Sequence, residues 1–263
     1  MGNRLFFGVG LAFLGACGNP QQKAINEVQF SLTTAAAVGR TAALAMDAMK
    51  GMPVACTTVK TACTTYPCTA GAVTIALGPG CPLPLGGAAT GTVTVTGNWS
   101  SVDQATLSQT FTDAQVTAQS NKALAIASVT QVSASRSGNT LTIKYTGTNA
   151  VAGASGSAVA VGASNSWTVA VDNKGTADPN DDLLTIDSTS VSAGGFSGAR
   201  VANVNGVVLD PSCRQNPTAG SADITQVSGG IVPVPTITKI KFHAACDGQA
   251  EVDGSTATLT LFP

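Results

Sequence analysis

Ser137-Gly138-Asn139-Thr140-Leu141-Thr142-Ile143-Lys144-Tyr145 is the stretch that decides the fold. Leu141, Ile143 and Tyr145 alternate with Thr140, Thr142 and Lys144, so an extended chain sends the apolar set to one face and the polar set to the other. Ser137-Gly138-Asn139 is turn chemistry between this run and Val132 upstream, and strands joined by so short a connection are antiparallel. The same period of two recurs at residues 92–96, 167–171 and 256–261, and Asp253-Gly254 marks a second tight hairpin. Each run offers one apolar and one wet face. After residue 60 no such run is followed by a helical period, which argues against a parallel α/β sheet.

Upstream, residues 22–50 read as a helix. Ile25, Val28, Leu32, Ala35, Gly39, Ala42, Met46 and Met49 recur in steps of three and four, which puts them on one stripe. The centre of that stripe is small, so a partner can approach the backbone there, and Gly51 and Pro53 supply the stop. The expected fold class is therefore α+β, mainly β: a long N-terminal helix packed on or inside a curved, largely antiparallel sheet.

The first residues are of another kind. A single basic residue, Arg4, precedes apolar residues and glycine through Leu14, about 15 Å as a helix, half of a bilayer core. That is the pattern of an export signal that is removed. Leu14-Gly15-Ala16-Cys17 then resembles the lipobox of bacterial lipoproteins. The resemblance covers only this segment and implies cleavage before Cys17, diacylglycerol on its thiol and a membrane as partner through that lipid. An ordinary signal peptide cut near Ala16 is the alternative reading. The implied organisation is a signal peptide over 1–16, a lipidated tether over 17–21 and one domain over 22–263. Gly18 is not the aspartate associated with inner-membrane retention, so in a Gram-negative host the resemblance favours the outer membrane of the cell envelope.

Removing Cys17 from the seven cysteines leaves an even set, Cys56, Cys63, Cys68, Cys81, Cys213 and Cys246, as a disulfide framework in an oxidising compartment would. Fifteen pairings are open to six cysteines. The pairing expected here joins Cys213 to Cys246, with the other four bonded among themselves. A zinc site is disfavoured by the lack of any Cys-x-x-Cys pair or nearby histidine.

Charged residues make up 10% of the chain, 13 basic against 14 acidic. No field exists to steer nucleic acid to such a surface. The lone histidine, His243, follows Lys239, Ile240, Lys241 and Phe242, and alternation sends it to the solvent face while Ala244 joins the core. Serine triads and histidine-rich metal sites need more than that, and no Gly-x-Ser-x-Gly elbow is present. One acidic stretch, residues 172–182, carries Asp172, Asp178, Asn180 and Asp182 at even spacing, a possible calcium loop, although the same residues build any long hairpin. Otherwise neither a cofactor nor a catalytic residue is expected.

Three functions compete: a non-catalytic structural or protein-binding envelope lipoprotein, a carrier of apolar, lipid-like ligands in a sheet-helix cavity, and a hydrolase using aspartates. The first is the leading expectation, on the lipid anchor and the missing catalytic groups. A weak internal similarity also relates 81–111 to 213–242, each placing a glycine (Gly91, Gly220) before a Thr-rich strand and a phenylalanine (Phe111, Phe242) at the end of the next.

Overall fold

A computed structural model describes residues 20–48, 59–60, 64–66, 68–69, 72–82, 88–117, 123–125, 129–149, 163–176, 181–194, 198–213, 215–227 and 235–258. The signal segment, Cys17, Cys56, Cys63, Asp178 and Asn180 lie outside them. Helix α1 is Pro20–Ala48. The strands are β1 Val59–Lys60, β2 Thr64–Tyr66, β3 Cys68–Thr69, β4 Ala72–Pro82, β5 Ala88–Ser101, β6 Gln104–Thr117, β7 Ala123–Ala125 and β8 Val129–Ser137. They continue as β9 Thr140–Asn149, β10 Ala163–Asp172, β11 Leu183–Gly194, β12 Gly198–Leu209, β13 Ala219–Val227, β14 Pro235–Lys241, β15 Gln249–Val252 and β16 Ser255–Thr258.

The fold is mainly β. One sheet runs β1-β2-β4-β5-β6-β8-β9-β10-β11-β12-β13-β14-β15-β16, with β3 beside β4 and β7 beside β6. Every described pairing is antiparallel, and the described turns are tight, as the hairpin chemistry dictates. Ser137 faces Thr140 across Gly138-Asn139, with Gly138 at φ +58°, and Val252 faces Ser255 across Asp253-Gly254, with φ +50° and +81°.

Alternation places one continuous buried face along the sheet. Val93 and Val95, Leu107, Val132, Leu141 and Ile143, Val169 and Val171, Leu184 and Ile186, Val204, Ile224 and Ile240 are each at most 4% exposed. Between them point the threonines, serines and charged residues of the wet face. Pro20 stands first in α1, two residues before the start expected from periodicity, because a proline has a preset φ and no N–H to leave unbonded. Burial on α1 also differs from a single stripe. Besides the stripe residues and the small Ala36 and Ala43 at its centre, Ala37, Val38, Thr41, Ala45 and Ala48 are buried. The physical reason is that α1 contacts strands from β4 through β14, on more than one of its sides.

Among the contacts that fix α1 against the sheet, two involve its centre. A Cβ on Gly39 would stand 2.7 Å from Val169 Cγ1, so only glycine permits this approach. Opposite, Gln109 is fully buried at a core position of β6. Its Nε2 donates to the Val38 carbonyl (3.1 Å), and its Oε1 accepts from the Thr41 hydroxyl (3.1 Å). Such a buried amide is tolerated only because both ends of it are bonded.

Gly91 and Gly220, the glycines of the weak internal similarity, both have positive φ, +102° and +94°, beside register shifts in their strands. The buried Phe111 faces Val93, two residues after Gly91, and the N–H of the buried Phe242, just past the end of β14, donates to the Gly220 carbonyl (2.9 Å).

Candidate functional site

Strands β13, β14 and β15 form an open groove of about 750 Å³ on the wet face, walled by Asp223, Lys239, Lys241, Glu251 and Asp253, with His243 at its end. Register brings these charges together. Asp223 is opposite Lys239, and Lys241 stands between Ser221 and Glu251. Opposite charges facing across strands contribute about 0.2–1 kcal/mol each and set pairing register. Asp253 adds a backbone link, its Oδ1 accepting from the Lys239 N–H (2.8 Å) while its own N–H donates to the Lys239 carbonyl (2.9 Å). Lys239, Lys241, Glu251 and Asp253 are exposed, so water screens them. The arrangement can meet a partner carrying charges of both signs.

His243 is half-buried and Ala244 is exposed, because β14 ends at Lys241 and alternation stops with it; Ala244 does not join the core as the alternation predicts. The His243 Nε2 lies 3.8 Å from Asp247 Oδ1.

The end of the groove is pinned by a covalent corner. Cys213 and Cys246 form the expected disulfide, with Cα atoms 5.5 Å apart and a sequence separation of 33. Beside it, Asn216 is fully buried: its Nδ2 donates to the carbonyls of Ala245 (2.9 Å) and Pro217 (2.8 Å), and its Oδ1 accepts from the N–H groups of Asp247 (3.1 Å) and Gly248 (2.9 Å). Asn216→Ala strands those two N–H groups in a part-buried corner, which costs about 2–3 kcal/mol. Urea unfolding is expected to show a midpoint lowered to match, with the slope unchanged.

Cys68 lies in β3 and Cys81 in β4. Of the acidic stretch, Asp172 ends β10, and its Oδ1 accepts from the Lys174 N–H (2.9 Å), while the Thr176 hydroxyl donates to Asp181 Oδ1 (2.7 Å). These bonds belong to a β10–β11 hairpin with Asp172 opposite Leu183. Asp182 is buried. Among the described residues no three metal-binding side chains cluster. Tyr145 and Trp167 meet with ring centroids 4.9 Å apart and planes inclined by 31°, both in the core.

The carboxyl of Asp210 is shifted. The Ser212 hydroxyl and the Ser212 N–H both bond its carboxylate and hold its pKa below the ordinary value, Lys174 helping and burial opposing. A group whose folded pKa is lowered stabilises above its unfolded value, about 3.9, and that stability is lost as pH falls through the folded value. Asp210→Asn is therefore expected to flatten the acid limb of stability below about pH 4. Thermal melts between pH 2 and 6 check it.

Sequence reading missed Asn216, Gln109 and Arg136. Gln109 and Arg136 left a trace, a polar residue in the apolar phase of a strand. Arg136 follows Val132 and Ala134 on the buried face and meets Asp47 of α1 at 2.5 Å. Asn216 left none.

Comparison of the chain with protein-family models, with curated proteins and with solved structures returned no match in any of the three.

Proposed function

We propose that the chain is a non-catalytic lipoprotein of the cell envelope, cut before Cys17 and held by lipid on that cysteine, with the outer membrane as its place in a Gram-negative host. Its β body is a structural or protein-binding module. The observation that carries the reading is Leu14-Gly15-Ala16-Cys17 at the end of a short apolar run. No described helix is long and apolar enough to cross a membrane, so lipid is the attachment this reading relies on.

The body is read as a curled sheet with the long helix α1 held lengthwise inside it. A helix lying across the strands would meet them in sequence order. Instead Gly39 meets β10, Thr41 meets β6 and Asp47 meets β8. Residues 39 and 41 point about 200° apart around a helix, so sheet lies on both sides of it. Helix thus fills the space that a carrier of apolar ligands would keep open, and this favours the module over the carrier.

Cys17→Ala is expected to abolish labelling by a fatty-acid probe and to move the protein from the membrane to the soluble fraction. Wild-type protein that takes no label overturns the reading.

A further inference from the structure

We propose that Cys246 is the point of entry for thiol–disulfide exchange at the covalent corner. An external thiol, free or carried by an oxidoreductase, forms its mixed disulfide with Cys246, and Cys213 is the sulfur that leaves and later closes the bond again. The inference takes from the reading above only that the chain meets thiols outside the cytoplasm; it does not need the lipid.

The first support is access. The bond joins a buried residue to an exposed one: Cys213 is 3% exposed, whereas Cys246 stands in the exposed run 244–247. An attacking thiolate comes in line with the S–S bond, from the side away from the sulfur it displaces. Attack on Cys246 therefore comes from its exposed side. Attack on Cys213 has to come through the packed side of the corner, where the carbonyl oxygen of the fully buried Asn216 lies 3.2 Å from Cys213 Sγ. Exchange depends on which sulfur can be reached, so the two are not equivalent.

The second is what stays in place when the bond opens. The Cys213 N–H donates to the Asp210 carbonyl (2.9 Å), and Asn216 holds the backbone on both sides of Cys246, through the Ala245 carbonyl (2.9 Å) and the Asp247 N–H (3.1 Å). None of these bonds uses a sulfur, so both cysteines keep their places. The freed thiol of Cys213 has the Asn216 carbonyl as its acceptor and waits beside the mixed disulfide, where proximity favours closure.

The step balances. The external thiolate bonds to Cys246 Sγ and is oxidised to a mixed disulfide, while the electron pair of the broken bond goes to Cys213 Sγ, which takes a proton from water. In the return step Cys213 gives up that proton, attacks Cys246 and expels the external thiolate.

The test compares Cys213→Ser with Cys246→Ser, each of which keeps one thiol of the pair. Both are checked for native folding by circular dichroism and incubated with oxidised glutathione, and peptide mapping by mass spectrometry reads the adduct. Adduct is expected to form on Cys246 of the first variant at least about tenfold faster than on Cys213 of the second, and the difference is expected to vanish in denaturing urea. Equal rates in the folded proteins, or a faster Cys213, overturn the proposal. Wild type answers the same question if Cys246→Ser does not fold. Treated with enough reduced glutathione to open the bond and quenched in acid, it is expected to carry glutathione on Cys246 and a free thiol on Cys213; glutathione on Cys213, or shared evenly, overturns the proposal. Intact mass of the same samples separates the two readings. Unmodified Cys17 with glutathione on Cys246 sinks the lipid anchor alone, and acylated Cys17 with even labelling sinks the entry point alone.

Discussion

Gly39→Ala lowers the stability of the protein by about 1–2 kcal/mol, although alanine is the better helix former by about 1 kcal/mol. The sign is decided by Val169. A new methyl would sit 2.7 Å from its Cγ1 and 3.2 Å from its Cβ, atoms of a branched side chain on a central strand that cannot swing aside. Forcing extra volume into a filled core costs about 1–3 kcal/mol per change, which exceeds the propensity gain. Gly39→Leu adds three more carbons at the same point and is expected to cost about 3 kcal/mol or more. The pair test is sharper still. In Gly39→Ala/Val169→Ala the removed methyls leave room for the added one, so the two changes are expected to be less costly together than their sum. Urea unfolding of the four proteins of that cycle measures this, and a Gly39→Ala protein as stable as wild type would show that α1 does not sit against β10.

Breaking the Cys213–Cys246 bond is expected to cost more, about 4 kcal/mol. The bond closes a loop across a separation of 33 residues. In the chain-entropy account a loop of that size withholds about that much free energy from the unfolded state. Cys213→Ala/Cys246→Ala leaves the hydrogen bonds of Asn216 in place, so the folded corner keeps its shape while the unfolded chain gains freedom. Equilibrium unfolding under oxidising conditions is the measurement. The double variant should unfold at markedly lower denaturant, and reducing agent should bring wild type toward it. An unchanged midpoint would mean that the corner holds without its covalent link.

How much of this was legible in the sequence depends on how local each feature is. Strand faces were, because Leu141, Ile143 and Tyr145 announce their side of the sheet within six residues, and Gly138 and Asp253-Gly254 announce their turns through a demand for positive φ. The burial of Ala37, Ala45 and Ala48 was not. A stripe is read from contrast between faces, and alanine fits buried and exposed faces alike. Nor was the pairing of Asp223 with Lys239, which depends on which strands become neighbours and in what register. Gln109 and Arg136 broke the alternation of their strands, yet only the position of α1 explains why a polar group was kept there. Asn216 lies in a loop without periodicity, and its partners are about thirty residues away.

Intact mass spectrometry of the protein purified from membranes tests the central claim most directly. The account predicts a chain that begins at residue 17 and carries the added mass of acyl chains on it. A chain that retains its first sixteen residues, or that begins at Cys17 without added lipid, would contradict it.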